Sequence, residues 1–167
     1  YSVEKAMALG AKVITVSDSS GTIVDEEGFT PEKLAILMDV KNHLYGRVSD
    51  YAARTGVKFE AGVRPWHVPV DIALPCATQN ELDENDAQLL IKNGVLCVAE
   101  GANMPSTIEA AKAFEAAGVL YAPGKASNAG GVATSGLEMS QNAMRMSWTR
   151  EEVDARLLQI MQGIHAA

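Results

Sequence analysis

The chain has 167 residues, of which 47% are apolar, and its formal net charge at pH 7 is −7. This length is sufficient for a domain with a hydrophobic core, and the acidic balance argues against a nucleic-acid-binding surface, which needs clustered lysines and arginines. The sequence contains no run of about 18 apolar residues, so we expect no membrane-spanning helix.

The first part of the chain alternates between helix and strand signals. A helix is predicted to end at Gly10, and the β-branched apolar run after it indicates a buried strand. Thr30 followed by Pro31 is typical of a helix start, and Lys41 lies near the end of that helix. The predicted helices cover residues 2–10, 30–41 and 47–55, and the predicted strands cover residues 12–17 and 57–60.

The second part continues the alternation. Asp83 is a predicted helix N-cap, Pro105 is predicted to open a helix, and Thr149 with Glu152 forms a capping box. The predicted strands cover residues 70–74, 95–99 and 119–122, and the predicted helices cover residues 83–94, 105–118 and 131–148, with one more from residue 149 onward.

This alternation predicts an α/β fold, Rossmann-like and doubly wound, with a largely parallel sheet flanked by helices. Polar loops follow the predicted strands, and the carboxyl ends of parallel strands form the binding crevice of such sheets. These loops cover residues 18–21, 77–80, 100–103 and 124–130. The pattern is typical of a nucleotide site, although any doubly wound sheet keeps its loops at this edge.

The loop that begins at Asp18 leaves the choice of nucleotide open. Asp18 follows a strand where a dinucleotide fold places an acid for a ribose hydroxyl, which favours NAD, or else it caps a turn. Ser19 and Ser20 can donate hydrogen bonds to a phosphate and Lys41 can supply the opposite charge, which favours NADP.

Small and amide residues dominate two of the other loops. Thr78, Gln79 and Asn80 follow one strand and Asn103 follows another. Amide side chains offer both donors and acceptors, which suits ribose hydroxyls and a carboxamide, although each asparagine taken singly is also a common turn residue.

The helix predicted over 131–148 has Val132, Ser135 and Met139 on one face, which we expect to pack against the rest of the protein. Its first turn is predicted to bring the Ser135 hydroxyl close to backbone N–H groups that have no partner within the helix. Such a helix start attracts an anion, or it simply uses its glycines for close packing.

Four long motifs resemble those of the hexameric glutamate dehydrogenases, in the family's order and spacing over essentially the whole chain. They are Val-Ser-Asp-Ser-Ser-Gly over 16–21, Leu-Pro-Cys-Ala-Thr-Gln-Asn-Glu-Leu over 74–82, Ala-Glu-Gly-Ala-Asn-Met-Pro over 99–105, and Pro-Gly-Lys-Ala-Ser-Asn-Ala-Gly-Gly-Val over 123–132, followed by Ser-Gly-Leu-Glu-Met-Ser-Gln-Asn over 135–142. The form of the first motif is more similar to that of NADP-dependent members, although Leu44 stands where those members often have a second basic residue.

The resemblance implies a set of binding residues. For the cofactor it implies Asp18, Ser19, Ser20, Lys41, Ala77, Thr78, Gln79, Asn80, Gly101 and Asn103, and for the substrate it implies Asn128, Val132 and Ser135. Ser135 would bind the side-chain carboxylate of glutamate and Val132 would pack on its methylenes. The family's catalytic lysine and aspartate belong to an N-terminal substrate domain, so no catalytic role is assigned to Lys125 or to any other residue here.

The resemblance further implies the whole enzyme's activity: reversible oxidation of L-glutamate to 2-oxoglutarate and ammonia, linked to NADP or, as the alternative, NAD. We expect a partial dinucleotide-binding domain, truncated at its N-terminal strand, in which about the last 20 residues start a C-terminal helical region. We expect the N-terminal substrate domain to be absent, the fragment alone to be inactive, and the full-length enzyme to be a hexamer of nitrogen metabolism.

Two other readings compete with this one. A dehydrogenase for leucine, valine or phenylalanine would place an apolar residue at position 135, whereas a flavodoxin-like binding module would not bind a nicotinamide cofactor at all.

The cysteines and histidines indicate the cellular compartment of the protein and argue against a metal site. Cys76 and Cys97 stand in apolar contexts without a paired framework, which favours buried free thiols and a reducing, cytoplasmic compartment. The three histidines are dispersed, so no metal site is predicted.

Overall fold

The computed structural model describes all residues, 1–167, and the chain divides into two compact units, Tyr1–Val68 and Pro69–Ala167. The first unit contains a helix α1 (Ser2–Ala8), strands β1 (Thr15–Asp18) and β2 (Gly21–Val24), helices α2 (Pro31–Met38) and α3 (Val48–Thr55), and strand β3 (Lys58–Ala61). A π-helical turn (Asp39–His43) extends α2, and a 3₁₀ turn (Pro65–His67) follows β3.

The sheet of the first unit is antiparallel, in the order β1-β2-β3. Its central strand β2 is entirely buried, and the core of the unit forms around Ile23 and the stacked rings of Phe29 and Tyr51, whose centroids are 5.7 Å apart. The side chains of α2 and α3 complete this core through Leu37, Val48 and other apolar residues.

Strand β2 was not expected from the sequence. Asp18 pairs with Gly21, so Ser19 and Ser20 are the two turn residues of a β1–β2 hairpin. Gly21 has φ +143°, and a Cβ at this position would overlap the backbone oxygen of Glu60 on the neighbouring strand. The glycine is therefore required by the close approach of β3, and the β-branched run after it is a strand.

The second unit contains the parallel sheet. Its strands are β4 (Ile72–Ala73), β5 (Cys97–Ala99) and β6 (Leu120–Ala122), in that order across the sheet. Helices α4 (Glu84–Lys92) and α5 (Ile108–Ala116) connect them and pack on each other, and the chain ends with α6 (Gly124–Ser127), α7 (Ala129–Met144) and α8 (Arg150–Ala166). Leu82, Leu90, Val98 and Phe114 are among its fully buried side chains.

Several predicted helix starts are confirmed by their hydrogen bonds. The side chains of Thr30, Asp83 and Thr149 each accept a hydrogen bond from a backbone N–H in the first turn of the following helix. Pro105, in contrast, does not open a helix: it is buried in the preceding loop, and Thr107 caps α5. The hydroxyl of Thr107 satisfies a first-turn N–H, a contact that proline cannot provide.

The prediction of a largely parallel α/β sheet is confirmed in part. The second unit has a parallel sheet with flanking helices, whereas the first unit has an antiparallel sheet because the Asp18–Gly21 turn reverses the chain. No helix in the structure combines the length and the apolar character that crossing a bilayer requires.

Candidate functional site

Asp18 is the centre of a hydrogen-bonded cluster at the β1–β2 turn. Its Oδ1 accepts hydrogen bonds from the backbone N–H and the hydroxyl of Ser20, at 2.9 and 2.7 Å. Its Oδ2 accepts hydrogen bonds from the Lys41 ammonium at 2.9 Å and from the Val48 N–H at 3.0 Å. The carboxylate therefore has four donors, two from its own turn and two from elements distant in sequence.

These contacts determine the ionisation state of Asp18. Burial on its own would raise the pKa of Asp18, but the hydrogen bonds from Lys41, Ser20 and the Val48 amide outweigh it and lower the pKa to about 2. Asp18 is therefore an anion at neutral pH, and it forms an ion pair with Lys41.

Two further hydrogen bonds border the same turn. The Arg47 guanidinium donates a hydrogen bond to the Ser19 hydroxyl at 2.8 Å, and the Lys41 ammonium also donates to the Gly46 carbonyl at 3.0 Å. Arg47 immediately precedes α3, and the start of this helix therefore places it beside Ser19. Asp18, Ser19, Ser20, Lys41 and Arg47, which we call the turn cluster, thus combine two cations, one anion and two hydroxyls.

The turn cluster gathers all four predicted residues of the first unit. Of the two roles considered for Asp18, the contacts present in the structure are those of a turn-forming residue, and its contact with a ribose stays a prediction. Arg47 was missed by the sequence analysis, because nothing in its local sequence indicates that it contacts a residue 28 positions earlier.

The second unit has a cleft of about 920 Å³ at the carboxyl ends of β5 and β6. It lies where polar loops were predicted to meet, as expected for an edge of a parallel sheet. Its lining comprises Gln79, Asn80, Glu100, Asn103, Met104, Ser106, Thr107, Ile108, Ala111, Tyr121, Pro123, Gly124, Lys125, Asn128, Gly131 and Val132.

Backbone hydrogen bonds join two of the loops at this edge. The Asn80 N–H donates to the Met104 carbonyl and the Leu82 N–H donates to the Pro105 carbonyl, both at 3.0 Å. Asn80 and Met104 have φ values of +55° and +50°, a conformation that is uncommon for residues other than glycine. The pairing of the loops thus holds Asn80 and Asn103 at one cleft.

Glu100 joins the same edge to the next loop. It follows β5, is 3% exposed, and its carboxylate accepts hydrogen bonds from the Tyr121 hydroxyl at 2.7 Å, the Ser106 N–H at 3.2 Å and the Gly124 N–H at 2.5 Å. Burial, and then the hydrogen bond to Glu100, raise the pKa of Tyr121 well above its usual value, so its hydroxyl stays a donor.

The segment predicted as a loop over 124–130 is largely helical. Gly124–Ser127 forms the short helix α6, and α7 begins at Ala129, two residues earlier than predicted, and ends at Met144, where Arg145 has φ +54°. The Ser127 hydroxyl donates to the Glu100 carbonyl at 2.6 Å and satisfies the end of β5. Consequently Lys125 lines the cleft from α6, and Asn128 lines it from the single turn residue that joins α6 to α7.

The expectation for the first turn of the long helix is wrong in one respect. Because α7 begins at Ala129, Ser135 lies in its second turn, beyond the N–H groups that lack a partner within the helix. Its hydroxyl lies 3.4 Å from the Gly131 carbonyl, and it does not line the cleft. The face of Val132 and Met139 is also exposed, at 73% and 66%, rather than packed within this chain.

Five predicted residues therefore meet at the cleft, namely Gln79, Asn80, Asn103, Asn128 and Val132. Ala77, Thr78, Gly101 and Ser135 do not line it. The Ala77 N–H donates to the Glu81 carboxylate at 2.8 Å, and Gly101 lies so close to Cys76 that a Cβ would overlap its sulfur. Neither Cys76 nor Cys97 forms a disulfide, and Cys76 is exposed rather than buried as expected.

Glu100 and Tyr121 were not predicted as cleft residues. Glu100 lies inside one of the four motifs, directly after a predicted strand. Nothing local identifies Tyr121, which reaches the cleft because β5 and β6 are neighbours in the sheet.

Comparison with known proteins extends these observations. The chain is 67% identical over its whole length to an NADP-specific glutamate dehydrogenase of Salmonella typhimurium and 58% identical over 99% of its length to an NAD(P)-specific glutamate dehydrogenase of Xylanibacter ruminicola. It spans 37% of the length of each of these relatives.

A solved structure agrees with the sequence comparison. The crystal structure of Plasmodium falciparum glutamate dehydrogenase superposes on the whole chain with a TM-score of 0.94 and 48% sequence identity, and the chain covers 36% of that protein. The family model of the Glutamate/Leucine/Phenylalanine/Valine dehydrogenases matches residues 1–167. The protein therefore belongs to the Glutamate/Leucine/Phenylalanine/Valine dehydrogenase family.

Proposed function

We propose that this chain is the coenzyme-binding part of an NADP-linked glutamate dehydrogenase. The turn cluster is the observation that carries the proposal, because it presents two cations and two hydroxyls around a turn whose single carboxylate is already occupied. Such a set suits a phosphate monoester, which is what distinguishes NADP from NAD.

The contacts of Asp18 support NADP over NAD. A carboxylate that binds NAD must accept hydrogen bonds from the ribose hydroxyls. Both oxygens of Asp18 already accept two hydrogen bonds each, so a ribose hydroxyl would have to displace one of these donors. Arg47 also supplies a second cation, which compensates for the apolar Leu44 at the position where a second base was expected.

In the second unit we propose that the cleft receives the nicotinamide end of the cofactor together with the substrate. Amide side chains of Gln79, Asn80 and Asn103 suit ribose hydroxyls and a carboxamide, and most of the surface that the cleft exposes is apolar. Asn128 and Val132 border the cleft on the side of α7 and are proposed substrate contacts. Ser135 is proposed as the contact for the glutamate side-chain carboxylate, one helical turn beyond Val132.

The nicotinamide cofactor, when bound, accepts or donates a hydride. The residues of this chain position it and the substrate, and proton transfer is assigned to a substrate domain outside this sequence. We propose accordingly a doubly wound, Rossmann-like arrangement for the complete coenzyme domain, a homohexameric and cytoplasmic full-length enzyme, and no turnover by the 167-residue chain alone.

The test is the initial rate of amino-acid oxidation by the full-length protein, with NADP and NAD in parallel and with glutamate, leucine, valine and phenylalanine as substrates. The proposal expects a rate with glutamate and a strong preference for NADP. A preference for NAD would return Asp18 to a ribose role, and oxidation of leucine or valine in place of glutamate would contradict the role given to Ser135.

A further inference from the structure

Glu100 is a buried carboxylate that neither the turn cluster nor the proposed substrate contacts use. It is 3% exposed and lines the cleft of the second unit. Its three partners are all donors: the Tyr121 hydroxyl and the Ser106 N–H meet Oε1, and the Gly124 N–H meets Oε2. All three contacts use the oxygens of Glu100 as acceptors, which is the role that a carboxylate fills.

No cation neutralises this charge within the chain. Glu100 takes part in no ion pair, and the other charged residue of the cleft lining, Lys125, is exposed and forms no ion pair with it. A buried charge is screened less than an exposed one, so the field of Glu100 extends into the cleft more strongly than that of Lys125.

The surroundings of Glu100 also fix its position. A Cβ on Gly124 would lie 2.7 Å from the Ala102 carbonyl oxygen and 3.1 Å from Oε2 of Glu100, so only glycine allows this N–H to reach the carboxylate. The backbone carbonyl of Glu100 accepts the Ser127 hydroxyl at 2.6 Å. The charge is therefore held in place by the same contacts that position α6.

We propose that Glu100 is an electrostatic determinant of the cofactor's redox state in this cleft, favouring the oxidised, cationic nicotinamide ring over the reduced, neutral one. This inference depends on the proposed function, because it requires the nicotinamide end to lie in the cleft. The two forms of the cofactor differ at the ring by one positive charge and a hydride, and a fixed anion nearby stabilises the cation selectively. In this role Glu100 acts on the nicotinamide ring through its electric field and is not a catalytic residue.

The experiment measures the dissociation constants of NADP⁺ and NADPH for the full-length protein and for Glu100→Gln, by titration calorimetry or by nucleotide fluorescence. We expect Glu100→Gln to weaken NADP⁺ relative to NADPH by about threefold or more, since a charge–charge term is removed for one form only. A matched control, Glu84→Gln, makes the same change at an exposed position of α4 outside the cleft and should leave the ratio unchanged.

A purely structural role predicts something different. The side-chain NH₂ of glutamine would face one of the three donors in place of an acceptor oxygen. This would disturb the cleft in the same way for both forms of the cofactor. Equal weakening of NADP⁺ and NADPH binding leaves the ratio of their dissociation constants unchanged and would therefore overturn the proposal. The absence of any change in either constant would overturn it as well. Failure of the wild-type protein to bind either form would instead contradict the proposed function.

A second variant covers the case in which Glu100→Gln does not fold. Met104→Lys adds a cation to the same cleft at a side chain that is 53% exposed, and it leaves the contacts of Glu100 intact. It should shift the ratio in the same direction as Glu100→Gln, with Met104→Gln as the neutral control. If Met104→Lys leaves the ratio of the two dissociation constants unchanged, the proposal is overturned, because a charge in the cleft would then not distinguish NADP⁺ from NADPH.

Discussion

The ammonium of Lys41 lies 2.9 Å from the carboxylate of Asp18, so the acid at the end of β1 is paired with the base that follows α2. Lys41 reaches this position from the π-helical turn that extends α2. The pair links the β1–β2 hairpin to the helical layer of the first unit. It also determines how the turn cluster responds to mutation and to pH.

Removing the base should separate the two cofactors. Lys41→Met is expected to weaken NADPH binding on the order of tenfold while leaving NADH binding nearly unchanged, because only NADPH carries the 2′-phosphate. The measurement is the dissociation constant of each nucleotide for the full-length protein. Lys5→Met, at an exposed position of α1, is the control, and equal losses for NADPH and NADH would contradict a phosphate role for Lys41.

Arg47 should behave as a second phosphate ligand. Arg47→Gln removes the guanidinium that contacts Ser19 and is expected to weaken NADPH several-fold, about 1 kcal/mol, with little effect on NADH. Arg54→Gln makes the same change of charge at the other end of α3, where Arg54 pairs with Asp39. If both arginine variants lose NADPH affinity to the same extent, the effect is one of general charge rather than of the turn cluster.

Asp18 should make a stability contribution that depends on pH. Its pKa is about 2 in the folded protein and 3.8 in its ordinary state, so the folded state favours the ionised form by about 2 kcal/mol. For an acid with a lowered pKa this contribution is complete above the ordinary value and is lost as the pH falls from about 4 to about 2. Asp18→Asn should therefore be destabilised most at neutral pH.

The measurement for Asp18 is the unfolding of wild type and Asp18→Asn by urea between about pH 7 and about pH 3. The difference between the two proteins should be constant at neutral pH and begin to narrow below about pH 4, because the wild type loses its advantage there. A difference that stays the same down to pH 3 would mean that the four hydrogen bonds do not depend on the charge of Asp18.

Gly124 should tolerate no side chain. Gly124→Ala would place a Cβ 2.7 Å from the Ala102 carbonyl oxygen, and we expect destabilisation of about 1–3 kcal/mol together with weaker nucleotide binding in the cleft. Gly163→Ala is the contrasting variant, because a Cβ in this part of α8 meets nothing within 4 Å and alanine favours helix. Thermal unfolding of both variants checks the prediction, which fails if Gly124→Ala is as stable as the wild type.

Short-range features of the fold were predictable from the sequence. The caps at Thr30, Asp83 and Thr149 each depend on a hydrogen bond to a backbone N–H three residues later, so a local pattern is sufficient to predict them. The strands of the parallel sheet were found for the same reason, from short apolar runs bounded by glycine and proline. The β1–β2 hairpin was missed because its turn residues also fit a strand-end loop.

The four motifs by themselves indicate the family and most of the candidate binding residues. They could not reveal which of those residues share a cleft, because Gln79, Asn103 and Asn128 come from three separate loops or helix starts. Nor could they locate the start of α7. Because α7 begins at Ala129, Ser135 lies in the second turn of the helix rather than in the first.

Most of the local elements, the α/β class of the fold and the family follow from the sequence alone, because these depend on residue types at short and regular spacing. The tertiary structure alone decided the partners of the charged groups. Asp18 meets Lys41 and Val48 across 23 and 30 residues, and Glu100 meets Tyr121 and Gly124 across 21 and 24. Such pairings depend on how elements pack, and their electrostatic consequences depend on burial that no local pattern encodes.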